Sequence, residues 1–163
     1  MTSTVRRLGV ADWEQLRDVR LRALQDSPSA FLKSYEEESE YGADRWRTWF
    51  SDRTAVFAAE RDGSAIGMIC GIPAGEDERD PDAAMMVAMW ADPAVRGSGV
   101  AVALTDELVA WAKESGYLRL VLWVYDVNPR AAAFYRRYGF VPTGRAETLH
   151  DDPRVLRLLT LDL

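Results

Sequence analysis

Residues that staple a chain or bind metal are scarce in this sequence. One cysteine and one histidine occur in 163 residues, so no internal disulfide can form and no Cys/His cluster has metal-ligand spacing. A metal-free fold in a reducing compartment is expected. Long apolar runs are missing as well: the longest, Ala83 to Ala91, has nine residues, where a membrane helix needs roughly 20. The opening Met1-Thr-Ser-Thr-Val-Arg-Arg continues into charged residues instead of an apolar stretch, which argues against a secretory leader. These absences predict a cytoplasmic protein with no membrane partner. Acidic residues outnumber basic ones 26 to 20, for a net charge of −6, and a phosphate backbone as main partner is disfavoured by that balance. No internal repeat or low-complexity tract is present.

What remains is the composition of one folded domain, residues 1–163. Apolar residues make up 48% of the chain, and six Trp, six Tyr and five Phe supply large core side chains. A chain of this size can bury roughly 70% of its unfolded surface. Cys70 falls in the apolar run Ala65 to Ile72, where a thiol acts as a small hydrophobe. His150 adjoins Asp151-Asp152-Pro153 and reads as a turn residue.

The patterning predicts a mixed α/β sheet with helices on both faces. Val5 to Leu8 suits a first strand. Asp12 with Gln15 reads as a capping box for a helix over Asp12 to Gln25, stopped by Ser27-Pro28. A second helical region spans Ser29 to Phe50, broken at Gly42. Its acids Glu36, Glu37, Glu38 and Glu40 read either as a solvated face or as the wall of an acceptor pocket. Thr54 to Ala59 and Ala65 to Ile72 form a hairpin across Arg61-Asp62-Gly63. The stretch Ala74 to Asp82 reads as a surface loop. The wholly apolar Ala83 to Trp90 predicts a strand covered on both faces. Val100, Leu104, Leu108 and Trp111 then mark a helix ending at Ser115-Gly116, and Leu118 to Tyr125 a strand, so this crossover should join parallel strands with right-handed sense. Asn128-Pro129 opens a helix that runs to Tyr138 and closes at Gly139. Phe140-Val141 with Gly144 to Leu149, and Val155 to Leu161, are the remaining strands, the last a candidate edge for a homodimer.

Arg96-Gly97-Ser98-Gly99-Val100-Ala101 lies between a strand and an amphipathic helix. Glycines at 97 and 99 permit a tight bend, and the free N–H groups of the first helical turn can receive anionic oxygens. Ser98 adds a hydroxyl donor and Arg96 a positive charge. The Lys-Ser/Thr pair of a nucleotide P-loop is absent, as is the three-glycine dinucleotide fingerprint.

Asp92 to Ala101 resembles the Arg/Gln-x-x-Gly-x-Gly/Ala motif of the GNAT family of N-acetyltransferases, with Arg96, Gly99 and Ala101 at its defining places. The block Asn128-Pro-Arg-Ala-Ala-Ala-Phe-Tyr135, followed by Gly139-Phe140, resembles that family's second signature. The two are separated by one helix and one strand, and the order of elements resembles the family fold over nearly the whole chain.

The resemblance implies an acetyltransferase that binds acetyl-CoA where two parallel strands splay apart, and passes the acetyl group to a primary amine. Backbone groups around Met89, Trp90 and Ala91 would pair with the pantetheine arm and polarise the thioester carbonyl. N–H groups from Arg96 to Ala101 would hold the pyrophosphate. Tyr135 would protonate the departing thiolate, where the bare sequence reads it instead as packing beside Phe134 and Tyr138 on an aromatic helix face. Asn128 would contact the cofactor arm while capping its helix. A glutamate that many members carry on the strand before the phosphate turn is missing here, so the base is open among Glu36, Glu37, Glu40, Tyr41, Asp82, Asp126 and water. The acceptor neighbourhood is expected around Phe31, Tyr35, Glu36, Trp46, Trp123, Tyr125 and Arg145, and a small-molecule amine is the predicted partner. A peptide α-amine, or a non-catalytic acyl-CoA binding module, are the alternatives.

Overall fold

The computed structural model describes residues 2–75 and 80–163. Seven strands form one sheet in the order β1-β2-β3-β4-β5-β7-β6. They are β1 (Thr4–Leu8), β2 (Ala55–Arg61), β3 (Ser64–Pro73), β4 (Ala83–Ala91), β5 (Arg119–Tyr125), β6 (Val141–Thr148) and β7 (Val155–Asp162). The β4 and β5 pair is parallel and all other pairs are antiparallel. The mixed sheet is therefore as expected from the patterning, including the β2–β3 hairpin. Asp62 and Gly63 take φ of +52° and +79°, the double positive φ of a turn whose twist matches the flanking strands.

Each face of the sheet has its own core. Helices α4 (Val100–Glu114) and α5 (Pro129–Tyr138) cover one face. There Leu104, Leu108 and Ala112 of α4 pack with Phe57, Ile69, Leu120 and Leu122 of the strands. Contact is close enough that a Cβ on Gly71 would lie 2.5 Å from Trp111 Cζ3 and 2.6 Å from Leu108 Cδ1. The other face carries α1 (Trp13–Asp26) and α3 (Ala43–Arg47). Leu16, Val19 and Ala23, at helical spacing on α1, pack there with Trp46, Val56, Met68 and Trp90.

Several expectations are corrected. The region Ser29 to Phe50 is not a long broken helix but a 3-10 turn at Pro28–Ala30, a one-turn α2 (Tyr35–Glu38) and the short α3. Its polar stretch lacks a sustained apolar stripe to bury, and Ser34 starts a new cap by accepting the Glu37 N–H. Asp12 does not cap α1 with its side chain; its carboxylate instead accepts from Gly9 N–H and Arg6. The last strand, β7, is not an edge, since it lies between β5 and β6. The edge on that side is β6, one continuous strand whose register shifts between Pro142 and Ala146, a position where proline and a bulge are tolerated. Part of the loop expected over Ala74 to Asp82, residues 76–79, lies outside the described residues.

Burial pushes the Cys70 thiol up to about 12, so it is a core residue and not a nucleophile. His150 is in a turn, almost fully exposed. Among the described residues no group of His, Cys, Asp and Glu could hold a metal ion. Among the described residues no helix is long and apolar enough to cross a membrane.

Candidate functional site

The parallel pair β4–β5 is joined only from Ala83 opposite Arg119 to Met85 opposite Val121. Beyond that point the strands part. A bulge in β4 contributes to the divergence: Met68 faces Trp90 but Cys70 faces Val87, which leaves one extra residue on β4, and Ala88 takes φ +58°. Bulges bend a strand and re-aim its backbone groups. A cavity of about 670 Å³ lies in the opening, lined by Met89, Trp90 and Ala91 of β4, by Arg96, Gly97, Gly99 and Ala101, and by the α5 face. A smaller cavity of about 100 Å³ continues between the diverging strands and shares Phe31, Met89, Asn128 and Tyr135 with the larger one.

One end of the larger cavity carries unpaired backbone N–H groups. Gly97 and Gly99 have φ of +83° and +91°, and a Cβ at either would meet nothing within 4 Å. Glycine is therefore required for the bend, while the space beside it stays open. The N–H groups of Arg96 and Ser98 are used within the turn, bonding Pro93 and Val95 carbonyls at 3.4 and 3.1 Å. Those of Gly97, Gly99, Val100 and Ala101 have no partner among the described residues. Four donors thus converge at the start of α4, where the helix dipole also favours negative charge. Of the run expected from Arg96 to Ala101, these four N–H groups are the unpaired ones. The Ser98 hydroxyl, expected as a further donor, is used within the turn, donating to the Val95 carbonyl. Val100 is a buried core side chain and offers only its amide.

The C-terminal end of α1 fastens this turn. Asp26 accepts from Trp90 Nε1 and from Arg96 Nη2, both at 2.9 Å. Burial opposes ionisation of Asp26, yet the bonds from Trp90, Ser27 and Arg96 outweigh it and hold its carboxyl below the ordinary range. One turn earlier, Arg22 donates to Asp92 at 2.6 Å and to the Ala65 carbonyl at 2.5 Å. Arg96 therefore enters the cavity wall with its charge partly balanced. Arg130 and Arg137 also line the cavity and form no ion pair among the described residues, leaving two uncompensated cations in its lining.

From α5, Asn128 and Tyr135 face both cavities. Asn128 Oδ1 accepts the Ala131 N–H at 3.3 Å, which caps the helix and leaves the side-chain NH2 available. Tyr135 is packed edge-on against Phe134 and Phe140, with ring centroids at 5.5 and 5.8 Å. Its hydroxyl has no hydrogen bond among the described residues, and burial raises its pKa above the ordinary tyrosine value.

Other candidates lie elsewhere. Glu36 is exposed on α2 and lines neither cavity. A four-residue helix turns only one of its acids inward, and that one is Glu38, bonded to Arg20 at 2.8 and 3.1 Å. Glu37 pairs with Lys33, and Asp126 with Arg157. Trp46 is fully buried core. Phe31, Trp123 and Tyr125 do line the smaller cavity. Asp26, Arg22, Arg130 and Arg137 were not singled out by the sequence. For the two α5 arginines the signal was present, since a spacing of seven places both on one helical face.

Comparison with known proteins decides the family: the model of the acetyltransferase (GNAT) family matches residues 13–140. The chain belongs to the GNAT family. An uncharacterized N-acetyltransferase of Methanocaldococcus jannaschii is 27% identical over 136 residues, covering 77% of this chain and 59% of that relative. The chain thus spans less than two thirds of that relative's length. The GNAT domain of S. lividans PAT superposes with TM-score 0.79 at 22% identity, covering 100% of this chain and 92% of that one. A Salmonella typhimurium protein solved with its cofactor acetyl-CoA has TM-score 0.79 at 17% identity, covering 100% and 95%. In this GNAT chain the two motif blocks flank the same cavity.

Proposed function

We propose that the protein is an acetyl-CoA-dependent N-acetyltransferase acting on a primary amine of a small molecule. The observation that carries this reading is the meeting of four unpaired amides, two unpaired arginines and a buried, unbonded phenol around one cavity at a strand divergence. Coenzyme A fits these groups by chemistry. Its diphosphate matches the amides of Gly97, Gly99, Val100 and Ala101, its remaining phosphate has cations at Arg130 and Arg137, and its narrow pantetheine arm suits the gap beside Met89, Trp90 and Ala91. When bound, acetyl-CoA supplies an acyl group already activated as a thioester.

The chain's part is then positioning and proton control. The α4 amides and Arg96 hold the anionic end. Backbone N–H groups of β4 near the bulge donate toward the carbonyl where negative charge develops. Tyr135 Oη holds a proton for the departing sulfur, and the Asn128 amide contacts the arm. Binding amine and thioester in adjoining cavities supplies proximity, which is worth much in acyl transfer. The narrowness of the smaller cavity favours a small acceptor over a polypeptide.

Titration calorimetry with coenzyme A tests the first half of this reading, and release of free thiol with an amine panel the second. Gly99→Asp, which adds a side chain at φ +91° and a negative charge beside the diphosphate, should abolish binding. Undiminished binding by that variant overturns the site, and binding without any amine-dependent thiol release supports a non-catalytic acyl-CoA module instead.

A further inference from the structure

Resting on the acetyltransferase reading, the packing behind the smaller cavity shows how part of its wall is held. Ala30 and Phe31 line both cavities, yet the chain that carries them has little regular structure of its own. The 3-10 turn Pro28–Ala30 has no side-chain cap, and Ala30 N–H bonds the Ser27 carbonyl at 3.0 Å. Residues 31–33 are bends outside any helix or strand. A short segment of this kind is held by the groups it is tied to.

Two arginines make the ties. Arg20 of α1 donates to Glu38 at 2.8 and 3.1 Å, and its guanidinium carbon lies 4.7 Å from the centre of the Phe31 ring. At the other end of the segment, Arg154 Nη1 donates to the Ser29 carbonyl at 2.6 Å. The same guanidinium lies over the Tyr125 ring, 4.0 Å from its centroid. Asp152 holds its remaining edge, accepting from Nε at 3.0 Å and from Nη2 at 2.8 Å. Those bonds keep the Asp152 carboxyl down at about 2, so this anchor stays charged at neutral pH. Tyr125 belongs to β5 and lines the smaller cavity. Arg154 therefore joins β5 to the turn that carries Ala30 and Phe31. Stacking and bonding in two directions at once needs a planar fork, and a lysine would supply charge alone.

We propose that Arg154 is a positioning residue for the acceptor: by bracketing Ser29 and Tyr125 it fixes where Ala30 and Phe31 stand relative to β5, and so the shape of the smaller cavity. Arg154 lines neither cavity and acts through these neighbours. Its loss frees one end of the segment while the Arg20–Glu38 pair still holds the other. The groups assigned to coenzyme A on β4, α4 and α5 do not bond Arg154 and keep their places.

The sequence supplies a local probe of this bracket. Its two lysines are Lys33, two residues beyond Phe31 and 47% exposed, and Lys113 in α4. Cleavage of the whole protein by endoproteinase Lys-C therefore reads opening of the segment at Lys33 and opening of the main core at Lys113. In Arg154→Ala, cleavage at Lys33 should quicken about tenfold, the effect of one lost charge-assisted bond on a local opening, with Lys113 cleavage unchanged. Phenylalaninamide, glycinamide and Nα-acetyl-lysinamide serve as acceptors. For those that wild type turns over, kcat/KM should fall by about 10- to 100-fold, with coenzyme A affinity by calorimetry near wild type. Arg154→Lys, which keeps a charge for Asp152, should behave as Arg154→Ala does. Wild-type behaviour of the lysine variant overturns the bracket, as does Lys33 cleavage that is unchanged or that rises only together with Lys113. Faster Lys33 cleavage with unchanged amine kcat/KM overturns the positioning role and leaves the acetyltransferase reading standing. Wild-type protein that binds coenzyme A but turns over no amine overturns the catalytic reading and the acceptor role together.

Discussion

The phenol of Tyr135 is enclosed by Phe134, Phe140 and the strand gap, and loss of water alone raises its pKa. A raised phenol pKa means that the proton is retained through pH 10, the ordinary tyrosine value, so Tyr135 can serve as an acid across the working range but not as a base. With amine saturating, kcat should show no alkaline decline between pH 7 and 10 from this group. Tyr135→Phe should lower kcat by about 100-fold, the lower end for loss of general acid catalysis, with coenzyme A affinity by calorimetry nearly unchanged; unchanged kcat removes the role. That Tyr135 and Asn128 share the wall of one cavity could be read from the chain, because seven residues separate them along one helix. Asp26 was not: its partners Trp90 and Arg96 are 64 and 70 residues away, and only the folded sheet brings them together. Glu38 was hidden for the same reason, since its burial depends on Arg20 across from a helix that the pattern did not resolve.

At the scale of elements, the end of α1 holds the turn that leads into α4 in place through Asp26. Its pKa lies below the unfolded value, so its contribution to stability is fully present above about pH 4 and is lost as pH falls through the lower folded-state value. Asp26→Asn keeps the shape but weakens the charge-assisted bond to Arg96. A loss of about 1 to 2 kcal/mol at pH 7 is expected, with the difference from wild type shrinking below about pH 4. Denaturant unfolding at pH 7 and pH 3 measures it, and a gap that is constant or widens in acid refutes the sign. Elements with strong local signals, such as the Asp62-Gly63 hairpin and α4, were readable in the chain. The α1–β2 segment was not, because short helical turns without an apolar stripe take their form from what they pack against. The place of β7 was equally hidden, since an alternating strand has the same pattern at an edge or one position inside it.

Over the whole molecule, the sheet is continuous on one side of β4 and interrupted on the other. Strands β1 to β4 pair along their lengths, whereas β4 and β5 share only three residue pairs before the cavity separates them. The core under α4 and α5 joins strands on both sides of the divergence, yet the gap itself stays open. A ligand that lies between the strands and ties α4 to α5 therefore stabilises the folded state alone, because the unfolded chain has no such gap. By mass action, coenzyme A at 100 times its Kd adds about 2.7 kcal/mol. For a domain of this size that is a rise in melting temperature of about 5 to 10 °C. Thermal unfolding followed across a coenzyme A series should show this rise growing with the logarithm of concentration. Dephosphorylated analogues retaining the diphosphate should give a smaller rise, since Arg130 and Arg137 then lose an anion, and an equal rise would place those two cations outside the ligand's reach.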